Sequence, residues 1–286
     1  MNGKFHGVGT LTRTDGSVQK GRWKDGEFLS SSTANPSSPP STSAPSNSSI
    51  ATTSPTSPTS PKDDGIKLLG FGSGFSVTHS GHIITNHHVI EDCDQVVAIH
   101  QGKFSKLSKI FADKINDLAL MKGDLKSSHP FRISRRDPQL TEDIFVAGFP
   151  TVGGPKQNTT VKVFKGVVSS MAGHKDNLSH FQIDAATNSG NSGGPIFNDS
   201  GNILGVLTYG YNTPIKPKHL AELSKGKPVY LEIYQGQNYG VKSSVVLSLL
   251  ESNGVIPEKP NKGKISRDEL RKLIHSATYR LICFGY

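Results

Sequence analysis

Cysteine is scarce in this chain, which has two in 286 residues, Cys93 and Cys283. They form no CxxC pair and no metal-ligand spacing, so a zinc ribbon or a CxxC redox site is excluded and no metal is expected. A secreted domain stapled by bridges would carry more cysteines, so the chain reads as one that folds reduced. Long apolar runs are also missing. No stretch of about 18 apolar residues occurs, so no spanning helix is expected. Residues Met1 to Thr10 are polar and glycine-rich, unlike a secretory signal. Together these absences predict a soluble intracellular protein of the cytoplasm. Dense basic runs are lacking too. The formal net charge is +9, but the cations are scattered, so nucleic acid is not an expected partner. Hydrophobic residues make up 34% of the chain, too few to pack all of it into a core.

Charge is absent altogether from Phe28 to Pro61. Ser, Thr and Pro dominate there, and such a segment cannot bury enough apolar surface to offset its ordering entropy. Residues 29–65 are therefore expected to be an extended linker. Before it, Asn2-Gly3-Lys4-Phe5 recurs as Asp25-Gly26-Glu27-Phe28. Gly7, Gly9, Asp15-Gly16 and Gly21-Arg22-Trp23 lie between, a pattern of β-hairpins around Asp-Gly turns. The glycines, Trp23 and the period make residues 1–28 resemble a partial MORN repeat. That resemblance implies contact with a protein or a membrane surface.

Residues 66–250 hold short apolar runs between turn residues. Examples are Gly74–Thr78, His82–Thr85, Gln95–Ile99, Leu118–Met121, Ile144–Ala147, Val161–Val168 and Ile203–Leu207. This spacing predicts an all-β sandwich or a pair of barrels.

Three stretches in that domain carry chemistry. In Gly190-Asn191-Ser192-Gly193-Gly194-Pro195, a serine between glycines can expose its hydroxyl and leave backbone N–H groups aimed at a ligand. A plain turn between strands has the same composition. Thr85-Asn86-His87-His88-Val89-Ile90 ends an apolar strand and offers either histidine as a base. Asn116-Asp117-Leu118 sets a carboxylate just before another strand. A serine hydroxyl needs a base to take its proton, and the base needs an orienting carboxylate. The chain order His, Asp, Ser is that of the chymotrypsin type.

The stretches GSGFSVTHSGHIITNHHVI (72–90), NDLALMK (116–122), AGFP (147–150), KGVVSSM (165–171) and QIDAATNSGNSGGPIFNDSGNILGV (182–206) resemble the trypsin-like serine proteases, and within them the HtrA/Deg group. The resemblance implies two six-stranded β-barrels with a closing C-terminal helix and a site between the barrels. It puts the catalytic histidine directly before the valine, hence at His88, with Asp117 as its orienter and Ser192 as nucleophile. The N–H groups of Gly190 and Ser192 would form the oxyanion hole. Ala186 would be the pocket base and Thr208-Tyr209-Gly210 the substrate-binding wall. No cofactor is implied, and the substrate is a polypeptide. With no acidic residue at Ala186, small or apolar side chains are expected before the cut. Asn191 stands where digestive relatives carry an aspartate that pairs with a new N-terminus, so activation by cleavage is not expected.

Ser243–Ser252 has the spacing of the closing helix. Residues 251–286 read as a tail too short for the PDZ domain that the group usually carries. Within it Ser266-Arg267-Asp268-Glu269 is a capping box, and Leu270, Leu273, Ile274 and Ala277 mark one face of a short amphipathic helix. The competing readings are a catalytically silent scaffold used for binding and a protease whose substrate is its own linker. The oligomeric state stays open.

Overall fold

A computed structural model describes residues 7–12, 18–24, 27–31, 66–151, 159–208 and 237–286. The chain divides into two compact units, Met1–Ser60 and Pro61–Tyr286. In the first, β1 (Gly7–Thr12), β2 (Val18–Lys24) and β3 (Glu27–Ser31) form an antiparallel sheet in that order. Gly7 pairs with Trp23, and Gly21 with Ser31, which is the hairpin pattern expected there. Most of the expected linker, residues 32–65, lies outside the described residues.

The second unit holds two closed six-stranded barrels, as expected. The first contains β4 (Lys67–Ser76), β5 (His82–Thr85), β6 (Gln95–His100), β7 (Lys103–Asp113) and β8 (Leu118–Lys122). A single helical turn, α1 (His87–Ile90), follows β5. The short β9 (Arg132–Ile133) leads into the second barrel. There β10 (Asp143–Gly148), β11 (Lys162–Ser170), β12 (His180–Ile183), β13 (Pro195–Phe197), β14 (Asn202–Leu207) and β15 (Asn238–Lys242) close in the order β13-β10-β11-β12-β15-β14. Pairing of β13 with β14 completes the ring, and β9 adds to β14 in parallel. Helix α2 (Ser243–Ser252) buries Val246, Leu249 and Leu250, and α3 (Arg267–Ala277) buries Leu273, Ile274 and Ala277. The capping box at Ser266 and Glu269 is formed in both directions.

The tail requires a correction. Its last segment, β16 (Thr278–Gly285), is the sixth strand of the first barrel, inserted between β4 and β6. Leu281 pairs with Gly72 on one side and Ala98 on the other. Tyr279, Leu281 and Cys283 alternate inward, which is the period-two pattern of a half-buried strand. Residues 251–286 are thus not an appendage, because without them β4 and β6 would present open edges. The same insertion corrects the expectation of a chain that folds reduced. It carries Cys283 beside Val96, next to Cys93, and the two form a disulfide with Cα atoms 5.3 Å apart.

Each barrel has its own core. Ile83, Val89, Val96, Ala98, Leu107, Met121, Tyr279 and Leu281 fill the first. Ile144, Val146, Val168, Phe181, Ile183, Ile196 and Leu204 fill the second. A third cluster joins them, in which Phe75, Leu118, Leu120 and Phe131 meet Phe197, Ile203, Val206 and the buried faces of α2 and α3. The junction is therefore apolar and tightly packed, and it fixes the loops that meet at its rim.

Candidate active site

His88 projects from α1, where β5 of the first barrel ends. Asp117 sits in the turn before β8 with φ of 53°, a left-handed conformation that aspartate tolerates better than most residues. Asp113 shapes this turn: its carboxylate accepts from the backbone N–H groups of Ile115 and Asn116 at 3.0 and 3.1 Å. The Asn86 side chain donates to the Asp117 carbonyl at 2.8 Å. Two hydrogen bonds then join histidine and aspartate. The His88 backbone N–H donates to Asp117 Oδ1 at 2.9 Å, and Nδ1 lies 2.8 Å from Oδ2. An ionised carboxylate can only accept, so Nδ1 carries a proton, and in the neutral imidazole Nε2 is then the acceptor nitrogen. His87 faces elsewhere, its Nδ1 being 3.9 Å from Glu91.

Burial pushes the Asp117 carboxyl upward, but the hydrogen bonds from His88 and Thr208 outweigh it and hold the group below its ordinary value. Side-chain exposure is 23% for Asp117 and 37% for His88, so the carboxylate is shielded while the imidazole stays reachable.

Thr208 lies at the end of β14, where the substrate wall was expected. Its hydroxyl donates to Asp117 Oδ2 at 2.6 Å and its N–H to the Tyr239 carbonyl at 3.0 Å. The side chain thus serves the carboxylate, a role not anticipated from the sequence. Tyr209 and Gly210 lie outside the described residues. Ala186 is exposed in the loop after β12.

Ser192 occupies a tight turn ahead of β13. Gly190 and Gly193 have φ of +91° and +82°, which side chains rarely adopt. A Cβ on Gly193 would lie 2.2 Å from the Ser73 carbonyl oxygen and 2.3 Å from Thr85 Oγ1. The serine turn therefore packs directly on Ser73 within β4 and on Thr85 at the end of β5, which leads to His88. The Ser73 N–H donates to the Ser192 carbonyl at 2.8 Å, and Gly193 N–H to the Leu207 carbonyl at 2.8 Å. Asn191 is fully buried. His88, Asp117 and Thr208 are thus directly bonded, and the Ser192 turn is seated beside them. Ser73 went unnoticed in the sequence, although it stands between Gly72 and Gly74.

Residues 72–206, just under half of the chain, match the family described as a trypsin-like peptidase domain. The chain is 31% identical to an uncharacterised Sinorhizobium fredii protein over 216 residues, covering 74% of this chain and 32% of that one. It is 35% identical over 143 residues to a probable periplasmic serine endoprotease, DegP-like, of Chlamydia muridarum, covering 48% of this chain and 28% of the relative. It is 29% identical over 196 residues to the serine endoprotease DegS of Haemophilus influenzae, covering 66% of this chain and 51% of DegS. The chain therefore spans about a third, a quarter and a half of these relatives' lengths. Among solved structures, the serine endoprotease from Yersinia pestis aligns at 26% identity with a TM-score of 0.48, covering 64% of this chain and 57% of that one.

These relatives overturn the expectation of a cytoplasmic protein. The DegP-like relative is periplasmic by name. The Cys93–Cys283 disulfide is the kind of bond that persists in oxidising compartments. Among the described residues, no helix is long and apolar enough to cross a membrane.

Proposed function

We propose that this chain is a serine endopeptidase that cleaves polypeptides through an acyl-enzyme. The observation that carries the reading is the chain of hydrogen bonds from Thr208 to Asp117 to His88, with the Ser192 turn packed against Ser73 in β4 and Thr85 at the end of β5. Ser192 Oγ attacks the scissile carbonyl while His88 Nε2 takes its proton. Asp117 keeps the imidazole in the required tautomer and stabilises the imidazolium. The new oxyanion is held by the N–H groups of Gly190 and Ser192, where one such donor contributes about 2.7–4 kcal/mol in related sites. His88 then protonates the departing amine, and water repeats the sequence on the acyl-enzyme to release the acid and restore the serine.

Ala186, at the expected pocket base, favours small or apolar side chains before the cut. Asn191 offers no carboxylate to an incoming N-terminal ammonium, which supports a site that works without N-terminal cleavage. Residues 1–28, as a MORN-like unit, would serve contact with a protein or membrane surface.

The test is hydrolysis of casein and of a peptide library by the wild type and by Ser192→Ala. The wild type cleaves after small or apolar residues, and the variant loses activity by about 10³-fold or more. Equal activity in both, or cuts confined to Arg and Lys, would contradict the reading or its specificity respectively. Adding the Ser192→Ala chain as a substrate shows whether the linker is itself cut.

A further inference from the structure

The oxyanion hole proposed above depends on which way two peptide planes face. In a planar trans peptide, the carbonyl of one residue and the N–H of the next point in opposite directions. The Gly190 N–H can therefore face the reacting carbonyl only if the Ser189 carbonyl is turned away. Two groups of one residue hold it so. Thr151, just past β10, donates its backbone N–H to the Ser189 oxygen at 2.8 Å and its hydroxyl to the same oxygen at 3.1 Å. Thr151 is pressed against this peptide. A Cβ on Gly190 would lie 2.5 Å from the Phe149 carbonyl oxygen and 2.9 Å from Thr151 Cγ2.

The next peptide is held from the other barrel. Ser73, on β4, is fully buried. Its hydroxyl accepts from the Phe149 N–H at 2.9 Å and donates to the Gly190 carbonyl at 2.7 Å. A hydroxyl has one proton, and the Phe149 N–H sets the rotor so that this proton goes to Gly190. The Ser73 N–H takes the Ser192 carbonyl. Both sides of Gly190, and the far side of Ser192, are thus tied. Asn191 lies between them; its side-chain polar atoms have no hydrogen-bond partner, while its backbone N–H donates to the Asn188 carbonyl at 3.0 Å and its carbonyl accepts from the Gly194 N–H at 2.9 Å. Rotating the Ser189–Gly190 peptide would break both Thr151 bonds.

We infer that Ser73 and Thr151 are positioning residues that keep the oxyanion hole formed in the free chain, one bracing it from each barrel. The inference rests on the serine-endopeptidase reading. Neither residue need touch substrate. Each acts through the orientation of an N–H group that does.

The experiment uses the full chain as wild type, Ser73→Ala, Thr151→Val and Thr151→Ser. Readouts are kcat and KM on a peptide with an apolar residue before the cut, and affinity for a peptide boronate, which forms a tetrahedral adduct with the nucleophile. Ser73→Ala is expected to lower kcat by about 10- to 100-fold, less than loss of a hole donor itself, with KM within about twofold. Boronate affinity should fall by the same factor. Thr151→Val, which keeps the N–H bond and loses the hydroxyl, should lower kcat by about 5- to 10-fold. Thr151→Ser should recover most of that loss. Should Ser73→Ala fail to fold, the Thr151 pair decides alone. Full activity in Thr151→Val, or a loss that serine does not recover and that boronate affinity does not follow, overturns the inference while leaving the protease reading intact. A wild type that neither cleaves the peptide nor binds the boronate defeats the protease reading, and the inference with it.

Discussion

At Asp117, burial favours the neutral acid and three hydrogen bonds favour the carboxylate. The bonds prevail, so the folded group titrates below its ordinary value. Glu142 follows the same logic away from the site. Burial raises it, but the Arg136 guanidinium at 2.5 and 2.8 Å and the Gln139 N–H at 3.0 Å hold it below the usual carboxylate range. A carboxyl lowered by folding stabilises the native state above its unfolded pKa, and that contribution is lost as pH falls through the folded value. Glu142→Gln should therefore cost about 2 kcal/mol at pH 7 in urea unfolding. The difference should shrink below about pH 4. A difference that does not change with pH would refute the assignment. At this scale the sequence is legible where residue types stand in short motifs, as at His88 and Asp117, which the structure brings within 2.8 Å of each other. It is silent where a hydroxyl acts across the fold. Ser73 and Gly190 are 117 positions apart, and no local pattern links them.

Among the elements, β16 departs most from what the sequence suggested. Arg280, Ile282 and Phe284 stand between the inward Tyr279, Leu281 and Cys283, and two of those three are apolar, so the sequence shows a strand-like run but not which face turns inward. It does not say which edges the strand will join. Here it enters between β4, which carries Ser73, and β6, and it closes the barrel that holds His88 and Asp117. The cysteines were misread for the same reason, since a pair 190 positions apart becomes adjacent only through that insertion. A bridge closing so long a loop restricts the unfolded chain strongly, and such bonds are typically worth about 2–4 kcal/mol. Reductant should lower the urea midpoint of the wild type by a corresponding amount and leave Cys283→Ser unchanged. Identical wild-type midpoints with and without reductant would show that the bridge is not formed or contributes nothing.

Across the whole second unit, the proposed site depends on the docking of two barrels. The first supplies His88, Asp117 and Ser73. The second supplies Ser192, Thr208 and Thr151. The apolar cluster of Phe75, Phe131, Phe197 and Val206, with the buried faces of α2 and α3, holds them in register. The two-barrel architecture was legible because many short strands at near-regular spacing permit few other arrangements. The route of the chain's end was not, because it is decided by which edge remains to be filled. The central claim is that this docking makes one serine among many unusually nucleophilic. It is tested most directly by treating the folded chain with a fluorophosphonate and mapping the adduct by peptide mass spectrometry. The account predicts a single phosphonylated serine, Ser192, and its loss in His88→Ala. An unmodified Ser192, or equal labelling with and without His88, would contradict it.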